Sequence, residues 1–428
     1  VVNEIERETG ITVRVIDGRE EARLIFAAVR ASVRIDRPPA VVVDLGGGSL
    51  EVAVGDARGM RWSSSLELGA ARLTAQLVHD DPPTTGDLRR VAERAEAVFG
   101  HVAGEVRSFA PAMMIGTSGT FCDIARVVEA ARSGSVPVSV NQTFVSRREV
   151  EDLYGRVVAM TAAERRRLPG LDARRAEQLP AGVLVLLTVM RLFGVDGYTA
   201  GTWALREGIV LEAAGHEEPA DRSADPLTMR RSSVVGLARR CAWDERHASA
   251  VAHLAVGLFD QLLLVHRLGP SDRDLLEYGA LLHDIGEHIA VESHHKHTAY
   301  LIEHGRLRGF SPEEIAVLAT LGRFHRRSDP KDSFEPWASL GSARRGAALK
   351  LLALLRMADG LDRGHNGRIE GVEVEVAPDR ARLILCTPGD ADLEVWGAGR
   401  KRDLFERVFE RRVELVAADH PSLGRAPR

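Results

Sequence analysis

The sequence predicts a mixed α/β part, then a helical part, and then a small α+β part at the end of its 428 residues. Residues 40–54 have the pattern of a strand, a glycine-rich loop and a second strand. Beyond residue 228, apolar side chains recur at the spacing of helices, and from Val372 the apolar period changes to the alternation of strands. A chain of this length has room for two to four domains.

The composition is typical of a globular protein in water, with 45% hydrophobic and 28% charged residues. A net charge of -4 argues against a general nucleic-acid coat. The three cysteines, Cys122, Cys241 and Cys386, lie far apart and form no C-x-x-C pair, so we expect reduced thiols and a cytoplasmic location. The longest apolar run, 181–190, is too short to cross a bilayer. We therefore expect neither a membrane nor a specific nucleic-acid partner.

The first part alternates helices and strands. Residues 1–10 form a predicted helix, 11–16 a strand, and a further helix opens at Glu20. Acidic residues favour the first turn of a helix, so Glu20 and Glu21 can be explained by the helix dipole alone. Further strands are predicted at 62–68, 113–115 and 197–204, and further helices at 68–73, 84–109, 121–131, 147–166, 172–193 and 205–210.

Two loops of this part have the composition of anion-binding turns. One connects the strands of residues 40–54, and it consists of Gly46, Gly47, Gly48 and Ser49. Asp44 precedes it at a strand end, where a carboxylate can hold Mg²⁺; an ordinary hairpin with a glycine turn is the alternative. The other joins a strand to a helix N-terminus, and it consists of Gly116, Thr117, Ser118, Gly119 and Thr120.

A polar segment with two prolines, 214–228, is the predicted linker. Helices follow at 247–263, 274–283, 297–304, 312–324 and 346–357. The last residues, 367–428, are predicted as β-β-β-α, with strands at 372–376, 381–386 and 392–396 and a final helix at 402–416.

The helical part contains histidines in a recognisable order. His247, then His283-Asp284, then Asp359 resemble the ligand set of metal phosphohydrolases of the HD superfamily. Imidazole and carboxylate suit Mn²⁺, Fe²⁺ or Zn²⁺, and the 294–297 segment and His325 are possible additional ligands or phosphate contacts. Alternatively, the helices are a scaffold in which hydrogen bonds satisfy the histidines. Glu287 stands where many active phosphodiesterases of this superfamily carry Lys, which favours the alternative.

Motifs along the whole chain resemble the exopolyphosphatase/guanosine pentaphosphate phosphohydrolase family. They are 17–24 (DGREEARL), 44–51 (DLGGGSLE), 116–120 (GTSGT), 205–208 (LREG), 282–286 (LHDIG), 294–297 (HHKH) and 323–326 (RFHR). The resemblance implies an actin-like ATPase (ribonuclease H-like) fold followed by a helical HD-like domain. It implies these boundaries: a remnant of the first actin-like domain at 1–37, the second at 38–213, a linker at 214–228, the HD-like domain at 229–366 and a small C-terminal domain at 367–428. Family members open with an earlier Asp-x-Gly-Ser/Thr-Asn loop, so we expect this chain to begin inside the first domain.

The resemblance also implies residue roles. Glu21 would be the general base for an attacking water, Asp44 and Glu51 would organise Mg²⁺ and the nucleophile, and the two glycine loops would hold phosphoryl oxygens. The expected substrate is inorganic polyphosphate or guanosine pentaphosphate, in a homodimer whose channel would draw on the Arg-rich stretches 163–175 and 228–240. Two alternatives remain open: a non-catalytic sensor of polyphosphate or guanosine tetraphosphate, and hydrolysis at the HD-like site.

Overall fold

The computed structural model describes residues 2–214 and 226–419, and the chain divides into two compact units between Met229 and Arg230. The predicted linker falls largely on residues 215–225, which lie outside the described residues. Across the two described ranges, no helix combines the length and the apolar character needed to cross a bilayer.

The first unit is a mixed sheet with helices on both faces. Its strands are β1 (Ala40–Leu45), β2 (Leu50–Asp56), β3 (Gly59–Leu66), β4 (Met113–Thr117), β5 (Phe144–Ser146) and β6 (Gly197–Ala200). Its helices are α1 (Val2–Thr9), α2 (Gly18–Arg30), α3 (Ala70–Leu77), α4 (Thr85–Ser108), α5 (Ser118–Ser133), α6 (Arg147–Val157), α7 (Ala162–Arg165), α8 (Leu179–Phe193) and α9 (Leu205–Ala213), with a 3-10 turn at Ala173–Arg175.

The strand order is β3-β2-β1-β4-β6-β5, with β1 antiparallel to β2 and parallel to β4. Alternate residues of β1 enter different cores. Val41 and Val43 belong to the large core on one face, which also includes residues of α4 and α8. Ala40 and Val42 pack on the other face with apolar residues of α2 such as Phe26. Residues 18–35, predicted to belong to another domain than 38–213, thus share a core with this sheet.

Helix α9 packs tightly against α2. A Cβ atom placed on Gly208 would lie 2.2 Å from the carbonyl oxygen of Leu24, so the two backbones approach as closely as only glycine permits. The guanidinium of Arg23 then bonds Glu212 of α9 at 2.8 Å. Gly208 belongs to the LREG motif. It allows α9 to pack closely against α2, and this contact keeps α2 against the sheet.

Residues 11–16, predicted as a strand, form no strand. Ile11 and Val15 are 62% and 77% exposed, so the apolar alternation of this segment does not define a buried face. Without a buried face, alternation alone does not select a strand partner.

The second unit is built mainly of helices. They are α10 (Pro226–Arg240), α11 (Glu245–Gln261), α12 (Leu263–His266), α13 (Pro270–Leu282), α14 (His294–His304), α15 (Pro312–Phe324), α16 (Glu335–Ser339), α17 (Ser342–Leu361), α18 (Asp392–Gly399) and α19 (Asp403–Phe409), with a 3-10 turn at Ile285–His288. A small sheet of order β7-β8-β9 completes it, from β7 (Gly371–Val376), β8 (Arg380–Thr387) and β9 (Arg412–Asp419).

The C-terminal segment differs from the predicted β-β-β-α order. Residues 392–396, predicted as a strand, lie in helix α18. The buried positions recur at helical spacing, and they are Ala391, Glu394, Gly397 and Ala398. The predicted helix at 402–416 ends at Phe409, since Glu410 takes a left-handed φ of 54° and β9 then pairs in parallel with β8. The segment also shares one hydrophobic core with helices α11, α13, α15 and α17, so it has no separate core.

We expect Gly208→Ala to lower the free energy of unfolding by about 1–3 kcal/mol, because the added methyl group must push α9 away from α2. Urea unfolding measures the change. Gly104→Ala is the matched control, since this helical glycine of α4 has open space where the Cβ would lie. The control gains up to about 1 kcal/mol from helix propensity. Equal stability of the two variants would contradict the close packing described here.

Candidate functional site

A row of polar residues crosses the sheet of the first unit at the end of β1. Glu51 lies directly opposite Asp44 in the antiparallel register, and Ser65 of β3 lies opposite Glu51. Thr117 of β4 is the parallel neighbour of Asp44. Side chains of directly opposed residues share a face, and this face is the one that α2 covers. The strand register therefore brings together two of the predicted site residues, Asp44 and Glu51.

Both carboxyl groups of this row are buried. Burial raises the pKa of Asp44 to about 6, although a hydrogen bond donated by the Thr117 hydroxyl opposes the shift. Burial likewise raises the pKa of Glu51 to about 7, against the Ser49 hydroxyl and the Ser65 hydroxyl, which donates to Oε1 at 2.9 Å. Within the described part of the chain, no Lys, Arg or His pairs with either carboxylate. Two adjacent buried carboxylates of this kind fit a divalent cation such as Mg²⁺.

Glu21 joins these carboxylates from the first turn of α2. The side chain of Asp17 caps that helix by accepting the N–H of Glu20 at 2.8 Å, and Gly18 packs directly on Ser65. The carboxylate of Glu20 is held by Arg23 at 2.8 Å, whereas no hydrogen bond or ion pair holds that of Glu21 among the residues described. The negative charge of Glu21 contributes to raising the pKa of both Asp44 and Glu51. The structure thus brings the three predicted catalytic carboxylates to one place.

The first glycine loop directs its carbonyl groups toward α3. The N–H groups of Gly69, Ala70 and Arg72 donate to the carbonyls of Gly48, Gly46 and Gly47, at 3.3, 3.0 and 3.0 Å respectively. Gly47 and Gly48 are exposed, and among the described residues no backbone acceptor faces their own N–H groups. Unpaired amides at the surface beside the carboxylate row are suited to phosphoryl oxygens.

The side chains of the second loop point into the protein. Thr117 bonds Asp44, the Ser118 hydroxyl donates to the carbonyl of Leu45 at 2.7 Å, and Thr120 is buried against Gly182. Ser118 has a φ of 80°, a conformation that non-glycine residues adopt rarely. The groups of residues 116–120 that remain available to a ligand are the backbone amides at the N-terminus of α5.

Arg175 is a site residue that sequence reasoning did not single out. Its guanidinium lies on the backbone of Gly119, where a Cβ would be 2.2 Å from the guanidinium carbon. Asp123, which is fully buried, and Asp172 orient this guanidinium at 3.0 and 3.2 Å. A fixed cation therefore lies at the second loop, and only its position within an Arg-rich stretch could have pointed to it.

Several other arginines of the two Arg-rich stretches pair with acidic side chains of the chain itself. Arg165 is buried and pairs with Asp81 at 2.6 Å, and Arg230 is buried and pairs with Glu314 at 2.9 Å. Arg166, Arg174 and Arg231 also pair with acidic side chains of the chain itself. These contacts give Arg165 and Arg230 a structural role, and the role of the two stretches in lining a polyanion channel stays a prediction.

The histidines of the second unit form two triads that could each hold a metal ion. His247, His283 and Asp359 form one, and Asp284, His294 and His325 form the other; in each triad the ligand atoms lie within 4.8 Å of one another. Asp284 also connects the two. One of its oxygens is 3.3 Å from His283 Nε2, and the other is 3.2 Å from Nε2 of both His294 and His325. The four predicted metal residues therefore meet, and His294 and His325 join them.

The hydrogen bonds of the outer ring nitrogens orient all four imidazoles. Nδ1 of His283, His294 and His325 lies 2.7, 3.0 and 2.9 Å from a carbonyl oxygen three residues earlier, and Nδ1 of His247 lies 2.8 Å from Asp362. In the neutral form each ring donates from Nδ1 and directs its Nε2 lone pair inward. The Nε2 atoms meet in pairs, at 3.2 and 3.3 Å. Metal-ligating histidines have this arrangement, with the second nitrogen bonded to a carbonyl or carboxylate.

The carboxylates of the cluster favour positive charge on His283, whereas burial lowers the pKa of His325. Burial by itself lowers the pKa of His283, but the carboxylates of Asp284 and Asp359 outweigh it and raise that pKa to about 9. Asp284 Oδ1 is buried without a well-formed hydrogen bond among the described residues, despite the two imidazoles beside it. These donor atoms fit Mn²⁺, Fe²⁺ or Zn²⁺.

Asp359 also contacts a cation of the chain itself. The Lys401 ammonium bonds its carboxylate. This contact depends on a close crossing of α17 and α18, where a Cβ on Gly360 would lie 2.6 Å from Ala398 Cα and one on Gly397 would lie 2.5 Å from the Gly360 carbonyl. The strand predicted at 392–396 did not anticipate the contact between Lys401 and Asp359, because only a helix places Lys401 beside α17.

Family models match both units. Residues 1–217 match the model described as the Ppx/GppA phosphatase family, and residues 229–394 match the one described as Ppx/GppA phosphatase, domain III. The chain belongs to the Ppx/GppA phosphatase family. The resemblance found in the sequence motifs is thereby confirmed.

Relatives in this family carry two kinds of name. A guanosine-5'-triphosphate,3'-diphosphate pyrophosphatase of Aeromonas hydrophila is 27% identical over 83% of this chain and 68% of that protein. Exopolyphosphatase 1 of Mycobacterium tuberculosis is 33% identical over 55% of this chain and 66% of that protein. The chain thus spans about two thirds of the length of these relatives. A crystal structure of an exopolyphosphatase from Cytophaga hutchinsonii is 26% identical, covering 51% of this chain and 70% of that one with a TM-score of 0.47.

The raised pKa values predict how the stability of the first unit depends on pH. The ordinary values are 3.8 for Asp44 and 4.5 for Glu51, against about 6 and about 7 in the fold. Between about pH 4 and pH 7 the folded unit then binds more protons than the unfolded chain, so stability falls as pH rises through the folded pKa values. We expect Glu51→Gln, which cannot ionise, to match the parent near pH 5 and to exceed it near pH 8 by on the order of 3 kcal/mol.

Native-state hydrogen exchange of the β1 and β2 amides measures this difference in the sheet itself. Glu67→Gln, the same replacement at an exposed carboxylate, serves as the control and is expected to leave the pH slope unchanged. A stability difference between Glu51→Gln and the parent that is constant from acid to alkaline pH would contradict the proposed burial cost.

Proposed function

We propose that this protein is a phosphohydrolase that releases the terminal phosphate of inorganic polyphosphate, the 5′ γ-phosphate of guanosine pentaphosphate, or both. The observation that carries the proposal is the meeting of Glu21, Asp44 and Glu51 beside the amides of residues 46–49. Relatives named for polyphosphate and for guanosine-5'-triphosphate,3'-diphosphate support the same reaction class. Both substrates end in a phosphoanhydride, and this common group is what the site would recognise. We further infer an actin-like fold for the first unit and an HD-like fold for the second.

In this proposal each acidic residue has its own task. Glu21, whose carboxylate has no internal partner among the described residues, orients the attacking water and accepts its proton. Asp44 and Glu51 hold Mg²⁺, which when bound neutralises charge on the phosphate. Thr117 keeps Asp44 in place, and Ser65 keeps Glu51 in place. The separation of tasks follows from burial, because the two residues on the strands are enclosed while Glu21 is partly exposed.

Positive groups flank the carboxylates. The amides of residues 47–48 lie on one side, and the amides of residues 118–119 with the Arg175 guanidinium lie at the second loop. Phosphoryl transfer depends mainly on positioning and on neutralising the equatorial oxygens, so fixed amides and a fixed guanidinium are the groups it needs. Asp123 and Asp172 hold Arg175 in one position, which reduces the entropy lost on binding.

We expect Glu21→Gln to reduce phosphate release from polyphosphate and from guanosine pentaphosphate by roughly 10²- to 10⁴-fold, because the amide cannot accept the proton. Steady-state assays with each substrate and Mg²⁺ measure the loss. Glu20→Gln is the adjacent control. The carboxylate of Glu20 forms an ion pair with Arg23, so we expect this variant to retain activity within about threefold of the parent. A similar loss in both variants would show that the first turn of α2 matters only as structure.

The same phosphate-release assays, combined with a binding measurement, distinguish a hydrolase from a sensor. Undiminished phosphate release by Glu21→Gln would overturn the role of Glu21. If the parent protein binds guanosine tetraphosphate or polyphosphate tightly but releases no phosphate, the result would support a sensor and overturn the hydrolase proposal.

We also propose that the histidine cluster of the second unit is a metal centre able to support phosphoester hydrolysis. The observation that favours it is the inward convergence of four Nε2 atoms on Asp284, with each Nδ1 bonded outward. Two bound ions would supply a hydroxide nucleophile and neutralise phosphate charge. The chain's own contribution is orientation, since backbone carbonyls at the ends of α13 and α15 fix His283 and His325.

Metal content tests this second proposal directly. A Glu51→Gln background removes the cation site proposed for the first unit, so that only the histidine cluster is counted. After incubation of this background with Mn²⁺ or Zn²⁺ and removal of free ions, we expect elemental analysis to find about two ions per chain. His294→Gln with His325→Gln should retain about one ion, because the triad of His247, His283 and Asp359 is intact. His304→Gln is the control, since this exposed histidine makes the same kind of carbonyl contact outside the cluster. Equal metal content in all variants, or none in the parent, would remove the metal centre.

A further inference from the structure

The second unit contains a strongly basic cavity beside the histidine cluster, because its Lys401 bonds Asp359 of that cluster. It has a volume of about 410 Å³, and its cationic lining residues are Arg326, Arg327, Arg356, Arg400 and Lys401. Asp403 is the carboxylate of the same lining. A cavity of this size is in the range of small-molecule sites, but its lining is charged where such sites are usually apolar. Lys401 is paired with Asp359, and Arg356 lies 3.6 Å from Asp329, so three exposed arginines are the cations left to attract an anionic ligand.

Several of these cations have no partner to balance them. Arg326, Arg327 and Arg400 are exposed, and among the described residues no carboxylate or carbonyl pairs with their side chains. Arg400 instead places its guanidinium 5.1 Å from the ring centre of Trp396. The convergence of like charges in one cavity costs free energy unless an anion offsets it.

Arg356 forms the fixed base of the cavity. It is only 3% exposed, and burial lowers its pKa to about 10, which keeps the guanidinium charged at neutral pH. Its Nε and one NH₂ group donate to the carbonyl of Phe324 at 2.9 and 2.7 Å, so its orientation is set before any ligand arrives. A preorganised guanidinium recognises phosphate oxygens with little loss of side-chain entropy.

We propose that this cavity binds a di- or triphosphate group, either as an inorganic oligophosphate or as part of a nucleotide. Planar guanidinium groups match phosphate oxygens in paired hydrogen bonds, and arginine is the prevailing cation here. A single phosphate would leave most of the volume to water, whereas two or three linked phosphates match both the volume and the three exposed arginines, Arg326, Arg327 and Arg400. The proposal concerns binding, and it depends neither on hydrolysis at Glu21 nor on metal at the histidine cluster.

Hydrogen exchange with tripolyphosphate and with GTP as probes tests the proposal and localises the site. We expect slower exchange of the amides at 324–328 and 398–404, the segments that carry the lining residues. Arg326→Glu with Arg400→Glu should raise the probe concentration that gives half-maximal protection at least about tenfold. Arg239→Glu with Arg412→Glu is the charge-matched control, because both residues are exposed in the same unit and lie outside the cavity. Arg400→Gln alone provides a milder variant if the double reversal does not fold.

The outcomes are distinct. Protection by tripolyphosphate and GTP at similar concentrations supports recognition of the phosphates alone, and protection by GTP at much lower concentration supports a nucleotide. Protection confined to residues 46–49 and 116–120 would overturn the cavity proposal while leaving the hydrolase proposal intact. Equal effects of both double variants would also overturn it, since general electrostatic attraction would then explain the binding.

Discussion

The burial of two carboxyl groups side by side, Asp44 on β1 and Glu51 on β2, is the constraint on which the first unit depends. Each is enclosed by the sheet and by α2, and each receives a hydroxyl hydrogen bond that offsets only part of the cost of burial. An arrangement of this kind persists because the surrounding elements are held by other contacts. The close approach of α9 to α2 at Gly208 and the apolar core beneath α2 supply them. A cation bound by the two carboxylates would therefore recover the free energy that their burial costs.

The second unit also contains enclosed carboxylates, but there the groups that compensate them are imidazoles. There the buried carboxylates face imidazoles, and the last turns of helices α13 and α15 orient those imidazoles through their carbonyl groups. Carbonyls at a helix C-terminus have no partner within the helix, so His283 and His325 use groups that the fold would otherwise have to satisfy with water. The precision of the cluster is therefore a by-product of helix ends meeting at one place.

The sequence was sufficient for the family, for the strand–loop–strand at residues 40–54 and for the core of each proposed site. Asp44 was predictable from its place at a strand end before a glycine loop, and Glu51 from the motif that resembles the family; the register of the hairpin explains why the two meet. Arg175 was not, because its contact with Gly119 depends on a loop that returns from a distant part of the chain. The segment 392–396 was misassigned because a short apolar alternation fits a strand or one face of a helix equally well. That error concealed both Lys401 beside Asp359 and the basic cavity.

The contact between Lys401 and Asp359 has a consequence for the charge balance of the second unit. Asp359 is almost completely enclosed, and an enclosed carboxylate needs a compensating charge from somewhere. Here the compensation arrives with the polypeptide, at the end of α18, and its local concentration does not vary with the ionic content of the surroundings. The negative charge of Asp359 is therefore offset within the chain itself, and any metal ion that used this carboxylate as a ligand would compete with the Lys401 ammonium.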